Sequence, residues 1–164
     1  MNPFHITLIL ATLLCGLVAG LVLTFAVVVM PGIGTMNDRQ FIQAFQAIDR
    51  VIQNNHPVFI VVWVGSALTT IAAVLLGFGQ LNGPERLLLV VAGIVYIAGV
   101  QVPTGTINVP LNNQLQTLDA STMDETALAE ARQAFEPRWI RWNTIRTVLA
   151  ILVTAAFLVL LLRL

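Results

Sequence analysis

The sequence predicts an all-α integral membrane protein: a four-transmembrane-helix antiparallel bundle with extra amphipathic helices in the two long loops on one membrane side. Two observations predict this class. Hydrophobic residues make up 57% of the 164 residues and charged residues only 10%, whereas soluble domains usually carry about 25% charged residues. The chain also contains four apolar stretches close to the roughly 20 helical residues that a membrane span needs.

The four predicted transmembrane helices lie near residues 6–30, 58–79, 87–102 and 145–162. The first stretch carries no charge and is longer than the apolar part of a signal peptide, so we expect a membrane helix there and not a cleaved leader. A short turn rich in glycine joins the second and third spans and makes them antiparallel neighbours. We expect the whole chain, 1–164, to form a single integral membrane domain.

The loop after the first span predicts an amphipathic helix. The stretch Pro31-Gly32-Ile33-Gly34 is expected to end the first helix, and Asn37 can cap a new helix over residues 37–53. Apolar residues then recur at helical spacing, at Phe41, Ala44, Phe45, Ile48 and Ile52. The remaining face, which includes Gln46 and Asp49, is too polar to cross a bilayer, so the helix is expected at the membrane surface or at the mouth of the bundle.

The third span reaches Pro103 after few residues, and polar side chains follow it. Two interpretations stay open: the helix breaks at membrane depth and helps to build a site, or it ends at the interface. Pro110 can start a short helix, and Thr122 with Glu125 resembles a capping box for a polar helix. Pro137 then permits a restart or a kink before the fourth span.

The distribution of arginine predicts the orientation. Six of the eight cationic residues lie in the two long segments, at Arg39, Arg50, Arg132, Arg138, Arg141 and Arg146. Only Arg86 and Arg163 lie on the opposite side. Cytoplasmic loops carry the excess of Lys and Arg, so both termini are expected outside the cytoplasm. The expected location is the cell (inner) membrane, crossed several times.

One face of the fourth helix carries the residues best suited to a site. At spacings of three and four, this face holds Trp139, Trp142, Asn143 and Arg146. Arg146 comes directly before an apolar run, where an unpaired charge costs a few kcal/mol. We therefore expect Arg146 to bond Asn108, Asn112 or a backbone carbonyl of that loop; the alternative is that it reaches the headgroups alone.

Composition argues against several other classes. The net charge is zero and all eight cationic residues are arginine, which is atypical of nucleic-acid binding. The single cysteine, Cys15, cannot form an internal disulfide and is expected as a packed side chain. The two histidines lie far apart and no carboxylates cluster, so no metal site is expected. No glycine-rich nucleotide motif is present, and no cofactor is expected.

Several segments resemble the anthrone oxygenase-like family of small four-helix membrane proteins. The less specific segments are Val29-Met30-Pro31-Gly32, Asp38-Arg39-Gln40-Phe41 and Gln46-Ala47-Ile48-Asp49-Arg50. The more specific ones are Asn108-Val109-Pro110-Leu111-Asn112-Asn113 and Arg141-Trp142-Asn143 with Arg146-Thr147. Together they cover nearly the whole chain. Family members often carry His after the Trp-Asn pair, where this chain has Thr144.

The resemblance implies cofactor-independent oxidation of an activated aromatic, such as an anthrone, by molecular oxygen. Such a reaction needs a base and donors that hold an oxyanion. The implied catalytic residues are Arg146, Asn143 and Asp38, with Asp49 and His56 as other candidate bases. The implied substrate-binding residues are Asn108, Asn112, Trp142 and Trp139.

A second functional class stays open beside the oxygenase. The chain is equally compatible with a non-enzymatic accessory subunit that associates with other membrane subunits, or with a binder of a lipophilic small molecule. A deep pocket under the polar helices would favour an enzyme or a binder. A bundle without such a cavity, but with an exposed groove of small residues, would favour a subunit. The lipid bilayer is the expected surrounding in each case.

Overall fold

The computed structural model describes residues 2–54 and 56–164, and in that part of the chain it contains helices and no strands. The five helices are α1 (Pro3–Gly34), α2 (Asp38–Gln53), α3 (Pro57–Phe78), α4 (Gly83–Gln116) and α5 (Glu125–Arg163). All but α2 are long and apolar enough to cross a membrane. The all-α prediction with four membrane-spanning helices is therefore confirmed.

The four long helices form one antiparallel bundle. α1 packs against α3 and α5, and α4 packs against the same two helices. Leu8, Cys15, Tyr96 and Phe157 are among the fully buried residues of the bundle core. The outward faces remain apolar, as at Leu13 and Leu75, which is the surface that a lipid bilayer requires. The structure thus has the amino-acid distribution of a multi-pass membrane protein.

The expected helix break at Pro103 and the expected helix start at Pro110 are wrong, because one helix continues past both; α1 ends at Gly34, within the predicted stretch 31–34 but past the predicted span end at residue 30. A π-helical stretch ends two positions before each of the prolines Pro31, Pro103 and Pro110, and the stretches are Phe25–Val29, Ile97–Gln101 and Thr104–Asn108. The residue before each proline donates its N–H to the carbonyl five residues earlier: Met30 to Phe25, Val102 to Ile97 and Val109 to Thr104. A wider turn gives the proline ring room against the preceding turn, so the helix continues.

The segment 110–136 forms no separate helix in the described part of the chain, which corrects the prediction for the second long loop. Its first part completes α4, and its last part opens α5, which passes Pro137 without a break. Asp124 caps α5 through a bond from the N–H of Ala127 (2.9 Å). Only residues 117–124 link the two helices.

The predicted amphipathic helix α2 is present, and Asn37 caps it by accepting a bond from the N–H of Gln40 (2.9 Å). It packs against α5 and the end of α4, so both long connections lie at the same end of the bundle, as predicted. Its buried face differs from the expected one. Gln46 and Asp49 point inward with Phe41 and Phe45, because the polar end of α4 offers them hydrogen-bond partners.

The lengths of the helices show where the polar end of α4 lies relative to the bilayer core. α3 has 22 residues, about 33 Å at about 1.5 Å per residue, which matches a bilayer core of about 30 Å. α4 has 34 residues, or about 51 Å, so it extends past α3 on the side of α2. There a second apolar core forms around Phe41, Phe45, Leu115 and Phe135. The polar cluster described next lies between the two cores.

Candidate functional site

Polar side chains from three helices converge at the α2 end of the bundle. On α4 a polar residue occupies every fourth position over one stretch: Thr104, Asn108, Asn112 and Gln116. On α5 the facing residues are Trp139, Asn143 and Arg146, and on α2 they are Gln46, Asp49 and Gln53. Spacings of three and four keep each set on one side of its helix. The continuity of α4 past its prolines creates the first set.

Asp49 supplies a buried carboxylate, with 2% of its surface exposed. Its Oδ1 accepts a hydrogen bond from Asn112 Nδ2 (2.7 Å), and its Oδ2 accepts bonds from Gln53 Nε2 (2.7 Å) and Gln116 Nε2 (3.0 Å). A carboxylate has about four acceptor positions, so these amides leave one free. Burial of a charge is tolerated when hydrogen bonds of this kind replace water.

Arg146 supplies a buried cation, with 4% of its surface exposed. Its Nη1 donates to Thr104 Oγ1 (2.7 Å) and its Nη2 donates to Asn143 Oδ1 (3.0 Å). Among the described residues, no carboxylate forms an ion pair with it. The predicted contact with the segment after the third span is confirmed, but the partner is the Thr104 hydroxyl instead of Asn108, Asn112 or a carbonyl.

Trp139 and Asn143 connect these groups to the bundle. The indole Nε1 of Trp139 donates to Asn112 Oδ1 (2.8 Å), and Asn112 in turn donates to Asp49. The Trp139 ring also packs against Phe45, with ring centroids 5.5 Å apart. Asn143 Nδ2 donates to the Val22 carbonyl (3.0 Å), which ties α5 to α1. Both side chains therefore hold fixed orientations.

A cavity of about 70 Å³ lies among these side chains. Its polar wall consists of Asp49, Thr104, Asn108, Asn112, Asn143 and Arg146, and its apolar wall includes Phe59, Trp63 and Trp139. Asn108 Oδ1 and Arg146 Nε are buried without a hydrogen-bond partner. Larger grooves of about 420, 330, 210 and 190 Å³ lie elsewhere, but each has at most two charged, amide or hydroxyl side chains in its lining, against six in this cavity. Chemistry therefore singles out the small cavity, which we call the polar cavity.

Not every predicted site residue lies at the polar cavity. Asp38 does not line it; its carboxylate accepts a bond from Arg132 Nη1 (3.1 Å) instead. Trp142 is half-buried outside the lining, although it was expected on the same face as Asn143. His56 and Thr144 are exposed.

Thr104 and Gln116 were not predicted as site residues, and Asp49 was one of three candidate bases. The four-residue repeat of polar side chains on α4 was a usable signal for the first two. The repeat is not visible when one helix is expected to stop before Pro103 and another to start at Pro110. Among the described residues, no group of three His, Cys, Asp or Glu side chains has a metal-binding arrangement.

Comparison with known protein families identifies the family of this chain. A protein-family model described as anthrone oxygenase matches residues 55–156. The match covers all of α3 and α4 and most of α5, including Asn108 and Arg146, and it begins after α2 and Asp49. Comparison with curated proteins and with solved structures gives no match. The family match extends over more than half of the sequence, and the chain belongs to the anthrone oxygenase family.

Proposed function

We propose that this protein is a membrane oxygenase that uses molecular oxygen to oxidise an activated aromatic compound at the polar cavity. The observation that carries the proposal is the pairing, around one cavity, of a buried carboxylate with a buried guanidinium that no acid neutralises. A cation left in this state suits a site where negative charge develops on a ligand. Family membership supports the same class of reaction.

Asp49 is the proposed base. It lines the polar cavity, and it keeps one acceptor position after its three amide bonds. Asp38 lacks this placement, because it faces Arg132. In the proposed reaction an activated aryl CH₂ group becomes a carbonyl. Both hydrogens leave, one atom of O₂ enters the product, and the other atom leaves as water, so no further reductant is required.

Arg146 is the proposed oxyanion partner, and Asn143 is proposed to position it. Removal of the first proton places negative charge on the oxygen conjugated with the reacting carbon, and a buried cation stabilises that charge more strongly than water would. Asn143 accepts a bond from Arg146 and donates to the Val22 carbonyl. It therefore holds the guanidinium in place as a positioning residue.

The size of the polar cavity bounds how a substrate can bind. About 70 Å³ is far below the roughly 300 Å³ of a typical ligand pocket, so only the reacting edge of an aromatic fits inside. The rest of the ring system would lie at the half-buried side of the cavity, beside Phe59 and Trp63. These two rings stack on each other with centroids 5.5 Å apart. A small hydrophobic aromatic is therefore the proposed substrate class.

Oxygen uptake by the purified protein tests this proposal with a matched pair of variants on one helix. With anthrone as substrate, we expect uptake and quinone formation by the wild type. Asp49→Asn should lower the rate by at least about 100-fold, the usual contribution of a positioned base. Asp38→Asn should retain the rate per folded molecule. Equal losses in both variants, or no uptake by the wild type, would refute the assignment.

We also propose the cell membrane as the location, with both termini outside the cytoplasm. The support is the arginine distribution, since both long connections lie at the end of the bundle that carries most arginines. A reporter fused after Leu164 tests the orientation. Activity of a reporter that works only in the cytoplasm would reverse it.

A further inference from the structure

Among the described residues, two polar atoms beside the polar cavity lack a hydrogen-bond partner. They are Oδ1 of Asn108 and Nε of Arg146, and their residues are 2% and 4% exposed. Leaving such a group unpaired inside a protein is unfavourable, because it has given up its hydrogen bond to water and gained none in return. Two unpaired groups on one cavity are therefore a costly arrangement unless a bound molecule satisfies them.

The neighbouring bonds fix the role of each atom. The amide nitrogen of Asn108 donates to the Trp139 carbonyl (3.4 Å), so its Oδ1 is left as a hydrogen-bond acceptor. Each Nη nitrogen of Arg146 already has an acceptor, so its Nε–H is left as a donor. Besides the remaining acceptor position of Asp49, the cavity thus offers one unpaired acceptor atom and one unpaired donor atom.

We propose that Asn108 Oδ1 and Arg146 Nε together bind a hydroxyl group of an aromatic ligand. A hydroxyl can donate to the first atom while its oxygen accepts from the second. An ether lacks the hydrogen, and a carboxylate would face both the Asn108 oxygen and the Asp49 carboxylate. This inference rests on the proposed function, because it specifies which part of the aromatic substrate enters the polar cavity.

Water could supply the same hydroxyl chemistry. A cavity of about 70 Å³ has room for about two waters at roughly 30 Å³ each. The ligand is favoured as the source by the apolar part of the lining, where the half-buried rings of Phe59 and Trp63 border the same cavity. A hydroxylated aromatic would use both walls, whereas water uses only one.

Calorimetric titration with two probes of nearly equal shape tests the proposal. The probes are 1-naphthol and 1-methoxynaphthalene, added to the full-length protein in detergent without oxygen, with protein-free micelles as the blank. We expect the wild type to bind the naphthol about tenfold more tightly, the effect of one buried acceptor, Asn108 Oδ1, left unpaired by the ether. Asn108→Leu should abolish this preference, and Asn113→Leu, the same substitution at an exposed position one residue past Asn112, should retain it.

Equal affinity of the wild type for both probes would overturn the proposal, and an ordered water between the two atoms in a ligand-free structure would then identify solvent as the occupant. A preference that survives Asn108→Leu would also overturn it. The two-probe comparison on the wild type stays decisive if the variant does not fold. Because binding is measured without oxygen, this result is independent of whether the protein turns anthrone over.

Discussion

Two arginines on α5 show how differently one residue type is used at the two levels of this bundle. Arg132 donates to two carboxylates and two carbonyls, those of Asp38 (3.1 Å), Glu136 (2.7 Å), Gly34 (2.8 Å) and Met36 (2.9 Å). Arg146 is more deeply buried, has only neutral partners and keeps its Nε unpaired. Arg132 thus binds four acceptor groups of the protein, whereas Arg146 lines the polar cavity.

This difference indicates different roles. Arg132 joins the end of α1 and the start of α2 to α5, and its charge is already neutralised within the protein. A ligand gains little from such a group. Arg146 holds a positive charge at a depth where an unpaired charge is costly. A substrate oxyanion would supply a negatively charged partner, which the described residues do not. We therefore propose that Arg132 stabilises the fold and that Arg146 takes part in the reaction.

The largest effect is expected at Arg146. Arg146→Ala should lower the rate of oxygen uptake by about 100- to 1,000-fold, the range for loss of one oxyanion donor. The exposed neighbours Arg138 and Arg141 provide matched controls on the same helix, and their alanine variants should keep the rate within about twofold of the wild type. Similar losses of rate in all three variants would show that Arg146 has no specific role in the reaction.

A smaller effect, on stability instead of rate, is expected at Arg132. Arg132→Ala leaves the Gly34 and Met36 carbonyls and two carboxylates without their donor. Because the side chain is 17% exposed, water replaces part of this, and we expect a loss of about 1–3 kcal/mol in the free energy of unfolding. Denaturant unfolding in detergent measures it. A large fall in the rate per folded molecule of Arg132→Ala, at unchanged stability, would show that Arg132 acts in the reaction and not in stabilising the fold.

The smallest effect is expected at the exposed ion pair of Arg39 and Glu125 (2.8 Å), whose side chains are 29% and 76% exposed. Glu125→Gln should change the free energy of unfolding by less than about 1 kcal/mol, the range for surface pairs. Arg39 also donates to the carbonyls of Ala120 and Met123, so Arg39→Gln should cost more. An equal cost would show that the ion pair, and not the carbonyl bonds, holds this loop.

The fold class could be predicted from the sequence because long apolar runs have few alternatives to membrane helices. The continuation of α1 past Pro31 and of α4 past Pro103 and Pro110 could not be predicted, because it depends on a π-helical turn before each ring that the residue pattern does not indicate. That error also concealed the polar face of α4. Arg146 was found because its position beside an apolar run demands a partner.

Asp49 shows why the site itself was harder to predict. On α2 alone, Ile48 and Ile52 look like the buried face and Asp49 like a solvated residue. Its burial depends on amides from α4, at Asn112 and Gln116, far away in sequence. A single helix pattern carries no information about such partners. The placement of Trp142 was misjudged for the opposite reason: spacing put it beside Asn143, but the structure places it outside the lining of the polar cavity, and among the described residues no hydrogen bond joins its indole to another helix.

The central claim is that the polar cavity between α2, α4 and α5 is the ligand site, and a structure with bound 1-naphthol under anaerobic conditions tests it most directly. The hydroxyl should lie within hydrogen-bond distance of Arg146 Nε and Asn108 Oδ1, with the rings beside Phe59 and Trp63. A naphthol found only in the apolar groove of about 420 Å³ lined by Gly16 and Thr154, with the polar cavity unchanged, would contradict the claim.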